Sequence, residues 1–438
     1  MYSSVHVSSF HRDRFSIFSH SLGDHSVHKL PYKLTAAAYG GFPAVEISLI
    51  DLEDHATQKG CDLLEAAQEI GEVCRVLGLR VTCIQPLRDV VESRKPACDA
   101  ADKALQLFPI MDALDTHLLL VCSSSLPADQ LEPSFHSAVS HLKAIGTAAA
   151  NWKPNPKKIA FEALSWGTHI NLWRQAWQVV QAVDMENVGI CLDSFNTLAR
   201  EWADPTVAGG IQADADEKIR KSMSELSELP GAKIFLLQIA DGARLAEPIE
   251  RGTPEKPALM TWSRSSRLFP MEFERGGYLP VSEFIEAVVK TGYAGPWSLE
   301  VFNSSLRSPA GTTPISHAIR GFYGLAKLVK FVFAHHQIKY QKHASMQLQS
   351  EDPSFQFLTG IRPSYNHFKP SSIPAFPRTQ LSSCSAISDS SSLEASHESD
   401  PDHSDQSIST SPRKLYGSEL HSVHSPLQIS STLPLPLI

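Results

Sequence analysis

The chain has 438 residues, 42% hydrophobic and 20% charged, with a formal net charge of -8. This is ordinary globular composition, and the acidic balance argues against a nucleic-acid-binding face while suiting a cytoplasmic enzyme for a small molecule. The opening MYSSVHVSSFHRDRF has no apolar leader core, and no apolar run reaches the roughly 18 residues of a membrane span, which argues against secretion and membrane insertion. The 7 cysteines, an odd number without CxxC spacing, read as reduced core thiols.

In chain order, RFSIF (14–18) predicts a first strand, followed by a helix through Pro31–Tyr39. AVEIS (44–48) is a second strand and bears Glu46. A helix over 62–77 closes at Gly78, and LRVTCIQPLRD (79–89) is the third strand. Helix 101–113 precedes THLLLVCSSS (116–125), the fourth, and a helix fills 132–150. Lys158–Asp193 then reads strand, helix, strand, each apolar run holding a lone acid, Glu162 and Asp193. A helix at 214–228 leads to KIFLLQIAD (233–241). A polar connection over 242–280 leads to helix 281–291, and PWSLEVFN (296–303) is the eighth strand before helix 314–335.

Eight strands alternating with helices predict a (β/α)8 TIM barrel over 14–341, after an N-terminal extension at 1–13. From 342 to 438 the chain is rich in Ser and Pro without apolar periodicity, and this tail is expected to be disordered.

The two-residue alternation of strands turns Glu162, Asp193, Gln238 and Glu300 inward near the C-terminal ends of strands five to eight. Barrel enzymes place their active sites at that rim. Buried unpaired carboxylates are very costly, so a cation is the natural compensator, and an oxygen-rich set suits a hard divalent ion such as Mg²⁺ or Mn²⁺. A structural salt bridge is the competing explanation for any one acid alone. His169, in SWGTHIN after strand five, suits a general acid or base, or else is a first-turn residue behind Thr168 as N-cap. Asn196 either holds a substrate hydroxyl or forms a turn. Arg88, Arg200, Arg264 and Arg267 fall in expected strand-to-helix loops, where bidentate guanidinium contacts suit a planar carboxylate. Together these groups call for a small anionic, oxygenated substrate.

FEALSWGTHIN, ICLDSFN followed by Arg200 and ADPT, LLQIAD, WSRSSRLFP, GGYLPV and WSLEVFN together resemble the fungal 3-dehydroshikimate dehydratases. SHSLG, HKLPYKLTAAAYGGFPAVEIS, CIQPLRD and LLLVCSS look similar too, so the resemblance spans about 15–335. That family belongs to the xylose isomerase-like (sugar phosphate isomerase/epimerase) barrels. The resemblance implies dehydration of 3-dehydroshikimate to protocatechuate in quinate and shikimate catabolism. It also implies a divalent cation (Mg²⁺, Mn²⁺ or Co²⁺) on Glu162, Asp193, Gln238 and Glu300. Ser263 and Arg267 then match substrate contacts, Arg88 lies in a substrate-facing loop, and His169 is the choice for proton transfer. Bacterial-type members carry His where Asn196 stands; an amide cannot shuttle a proton, so Asn196 is assigned to binding. Strand two continues EISLIDLE, where the family pattern has an aromatic pair after the Ile. The alternatives are a sugar or inosose isomerase, epimerase or dehydratase on the same barrel, a DNA-repair endonuclease, and an inactive barrel serving as sensor or scaffold.

Overall fold

The computed structural model describes residues 12–132 and 134–350. The chain divides after Leu358 into two compact units, and the described residues all belong to the first. Most of the expected tail and of the N-terminal extension therefore lies outside the described residues.

Eight strands close a parallel barrel: β1 (Phe15–Phe18), β2 (Ala44–Ser48), β3 (Arg80–Leu87), β4 (Leu118–Cys122), β5 (Lys158–Glu162), β6 (Val188–Asp193), β7 (Ile234–Ile239) and β8 (Trp297–Leu299). Each pairs in parallel with its sequence neighbours, and β8 returns to β1. The predicted architecture holds.

The pleat separates two apolar cores. Side chains such as Val45, Leu119, Phe161, Ile190, Leu237 and Leu299 point outward and pack beneath the helices. Cys83, Leu120, Cys122, Ala160, Cys191 and Leu236 form a smaller cluster that fills the barrel interior. The polar residues at issue continue these inward rows toward the C-terminal rim, with Cys122 level with Glu162 and Asp193 level with Gln238.

Helices α1 (Leu30–Tyr39), α2 (Leu49–Lys59), α3 (Leu63–Val76), α4 (Ala97–Ala113), α5 (Phe135–Asn151), α6 (Trp173–Val183), α7 (Ser194–Glu201), α8 (Ala215–Leu226), α9 (Ala258–Ser266), α10 (Val281–Lys290) and α11 (Thr313–Ser350) follow. Four of them depart from expectation: α2, α7 and α9 were not foreseen, and α11 is longer than predicted. The stretch after β2 winds directly into α2 and stops at Gly60, whose φ of 68° is a left-handed geometry suited to glycine. Asp51 in α2 is buried against Lys33 of α1 and accepts a 2.6 Å hydrogen bond from Ser19 Oγ, so the unusual EISLIDLE segment is locked by charge pairing. Burial alone would raise the Asp51 carboxyl, but Lys33 holds it down to about 2.

The expected polar connection between β7 and α10 contains α9. It also contains a two-residue ribbon pairing Arg267–Leu268 with Asp241–Gly242. Helix α11 runs past 335 and across the expected boundary at 341.

Phe161, fully buried in the outer core, should lose about 3–5 kcal/mol of stability on change to alanine. Asp62 closes a capping box on α3 with Glu65, and Asp62→Ala should cost about 1 kcal/mol. Urea midpoints of the two variants check the order: an Asp62→Ala loss equal to that of Phe161→Ala would contradict it.

Candidate metal and active site

Asp193 has two tasks. It ends β6 and is the N-cap of α7, its Oδ1 accepting the Asn196 backbone N–H at 2.9 Å. Strand therefore turns into helix with no intervening loop, and Asn196 is carried back over the rim. Its Nδ2 donates to Glu162 Oε1 at 2.7 Å, and its Oδ1 accepts from the Ser165 backbone at 3.1 Å. Asn196 thus holds Glu162 in place instead of standing free for a substrate hydroxyl. The same direct turn explains Arg200. It lies exposed in the last turn of α7, at the far end of that helix from Asp193, and is not brought to the site.

Glu162, Asp193 and Glu300 converge, with one carboxylate oxygen from each lying within 4.8 Å of the others. All three are buried, at 3%, 2% and 5% exposure. Burial, with the Asp193 charge adding to it, pushes Glu162 up to about 7, and burial pushes Glu300 well above the ordinary carboxylate range. Gln238, fully buried on β7, adds an amide beside them.

One guanidinium answers this charge. Arg267 Nη1 donates to Asp193 Oδ2 at 2.6 Å and to Glu300 Oε2 at 3.0 Å, while its Nε donates to Ser263 Oγ at 3.0 Å. Phe195 and Phe302 flank it, with ring centroids 4.4 and 5.1 Å from Cζ. Burial works against the charged guanidinium, but Asp193 and Glu300 raise its pKa above the usual value. Ser263 and Arg267, expected as substrate contacts, are thus both buried, Arg267 bonded to the carboxylate cluster and Ser263 to Arg267.

Arg88, after β3, and Arg264, on α9, remain exposed. Partial desolvation and then the like charge of Arg88 lower the Arg264 pKa, which sets the two guanidinium groups near each other. Neither has an acidic partner among the described residues.

His169 lies in a loop, since α6 begins only at Trp173 and Thr168 donates to Leu126 O at 2.7 Å instead of capping a helix. Its Nδ1 is 3.2 Å from Glu92 Oε1. Glu92 is buried, has φ of 63°, and is pushed up to about 7 by burial. Sequence reasoning missed Glu92, an acid in a loop without periodicity. It also left Glu46 and Gln85 out of the site. Both are buried and bonded to Gln238 or Glu300. The signal for Glu46 was present: a lone acid inside an apolar strand, the same as for Glu162.

The donor set is oxygen-rich, with three carboxyl groups facing one guanidinium, which fits a hard divalent cation. Such an ion must displace protons held at raised pKa, so binding should tighten as pH rises through 7, roughly tenfold per unit for each proton released. Calorimetric titration at pH 6 and pH 8 checks the sign; equal affinity at both would contradict it.

A family model described as a xylose isomerase-like TIM barrel matches residues 34–323. A 3-dehydroshikimate dehydratase of Neurospora crassa is 35% identical over 337 residues, covering 72% of this chain and 94% of the relative. A 3-dehydroshikimate dehydratase of Pseudomonas putida is 33% identical over 280 residues, 64% of this chain but 37% of that protein's length. Among solved structures, a xylose isomerase-like TIM barrel/4-hydroxyphenylpyruvate dioxygenase fusion protein is 30% identical with a TM-score of 0.59, covering 75% of this chain and 44% of the other. The chain belongs to the xylose isomerase-like TIM barrel family and, within it, to the 3-dehydroshikimate dehydratases. Among the described residues no helix is long and apolar enough to cross a membrane.

Proposed function

We propose that this chain, a hydro-lyase by its family, eliminates water from 3-dehydroshikimate to give protocatechuate (3,4-dihydroxybenzoate), in the cytoplasm and in quinate and shikimate catabolism. A divalent cation, Mg²⁺, Mn²⁺ or Co²⁺, would be held by Glu162, Asp193, Gln238 and Glu300. The observation that carries this reading is the pairing of a buried carboxylate triad with two unpartnered arginines on the same barrel. The first asks for a cation and the second for an anionic substrate.

Arg88 and Arg264 bind the substrate carboxylate, which orients the ring over the barrel mouth. A bound divalent cation supplies a Lewis acid for the C3 ketone, which is conjugated through the ring alkene to C6. Proton transfer falls to His169. Its Nδ1 is turned to Glu92, leaving Nε2 as the exchanging atom. The proton leaves C6, the C5 hydroxyl departs as water, and the C4 hydrogen shifts to give the catechol. Phe195, Phe302 and the buried Arg267 keep water from the carboxylates.

A sugar or inosose isomerase on the same barrel would act on a neutral polyol. Such a substrate has no charge for Arg88 and Arg264, so the dehydratase reading is preferred.

Protein mixed with Mg²⁺ or Mn²⁺ and 3-dehydroshikimate should develop the ultraviolet band of protocatechuate, and EDTA should abolish it. No product with any divalent metal would overturn the assignment. Glu300→Gln should lower the rate at least ~100-fold with the fold intact, beyond the loss typical of an outer-shell change. Arg264→Ala should act mainly on KM, raising it roughly 10–100-fold through loss of a charge-assisted hydrogen bond; an unchanged KM would remove Arg264 from the carboxylate site.

A further inference from the structure

Glu46 has no part in the chemistry above, yet it is a fully buried carboxyl among carboxylates. Its Oε2 accepts from two amides, Gln85 Nε2 at 2.8 Å and Gln238 Nε2 at 2.9 Å. The same two nitrogens reach Glu300 Oε1, at 3.0 and 3.3 Å. Two carboxyl groups and two amides thus close a ring below the rim, built from β2, β3, β7 and the end of β8. Gln238 Oε1 lies on the other side, accepting from Cys191 Sγ at 3.4 Å, and Cys191 stands two residues before Asp193 on β6.

We infer that Glu46 is a positioning residue that sets the orientation of the Gln238 amide, holding its NH₂ toward β2 and its oxygen toward the β6 side, where Asp193 lies. With Glu46 as the carboxylate, an amide flipped about its last bond would present its oxygen to Oε2 at 2.9 Å with no proton between them. Two facing acceptors repel, so the flipped state is disfavoured. A carboxyl at position 46 is costly to bury, and an apolar side chain would be cheaper there. What the carboxylate form of Glu46 provides is a one-way acceptor; a glutamine in its place offers both a donor and an acceptor, and so tolerates either orientation of Gln238. Gln85 supports the arrangement from β3 by bridging Glu46 to Glu300. This inference rests on Gln238 being a metal ligand through its oxygen, as proposed above.

The test uses the full chain stripped of metal and titrated with Mn²⁺ by calorimetry, with thermal melting as a check on folding. Glu46→Gln keeps the size of the side chain and removes a buried charge, so the fold should survive. Its affinity for Mn²⁺ should fall roughly 10–100-fold. The same substitution is then made in a Gln238→Glu background. There, either ligand oxygen can face the cation, no amide needs orienting, and Glu46 becomes a like-charged neighbour. Glu46→Gln should therefore tighten Mn²⁺ binding in that background, a reversal of sign that general loosening of the barrel would not produce. Unchanged affinity in the Glu46→Gln single variant, or an equal loss in both backgrounds, would overturn the inference while leaving the metal site standing. Failure of the unmodified chain to bind Mn²⁺ would overturn the metal reading itself, and this inference with it.

Discussion

The structure depends on how three buried carboxylates are kept together. Glu162, Asp193 and Glu300 bring oxygens within 4.8 Å of one another in an interior where like charges repel strongly. Nothing in an apolar barrel offsets that repulsion without designated partners. Among the described residues, Arg267 supplies the one positive charge in direct contact with the cluster. Asn196, Gln85, Gln238 and Cys122 supply neutral donors to its remaining oxygens. Each donor comes from a different strand end or rim element, so the cluster ties the barrel mouth together across its width.

The cation comes from outside the regular alternation of strand and helix. Arg267 lies at the end of α9, in the β7–α10 connection, and its strand-like pairing with Gly242 anchors it where the barrel can receive it. The barrel thus supplies the negative groups from parallel strands whose ends are level. The irregular connection supplies Arg267 to balance them and Arg264 to face outward. One short helix therefore serves two purposes, neutralising the floor and charging the entrance. Burial, reinforced by the neighbouring acids and opposed by Arg267, raises the Glu162 and Glu300 pKa values, which leaves the cluster able to exchange protons for a divalent cation near neutral pH.

The legible part of the site was its set of anomalies. A lone acid in an apolar parallel strand is visible in a string of letters, because such strands are covered on both faces and tolerate charge badly. That signal found Glu162, Asp193 and Glu300, and alternation placed them on one side of the sheet. Glu46 carries the same signal but was left aside, since nothing in one dimension ranks it with the others. Asn196 and Arg200 show the opposite error. Arg200 was placed in a strand-to-helix loop that does not exist, because Asp193 caps α7 directly, and Asn196 was read as a substrate contact or a turn where that cap turns it onto Glu162. Glu92 had no signal at all: its nearness to His169 arises from two loops that meet only when β3 and β5 stand two places apart in a closed barrel.

By itself, the amino-acid sequence determined the alternation of strands and helices, the inward rows, and the identity of the acids at the strand ends. These follow from periodicity and from the penalty on buried charge, both local properties of the chain. Tertiary structure alone decided which groups touch. Arg267 sits against Asp193 and Glu300 instead of solvent, and Gln85 and Gln238 share Glu46. Those contacts join residues far apart in the chain, and their geometry is set by barrel closure and by the path of the β7–α10 connection, which no local pattern encodes.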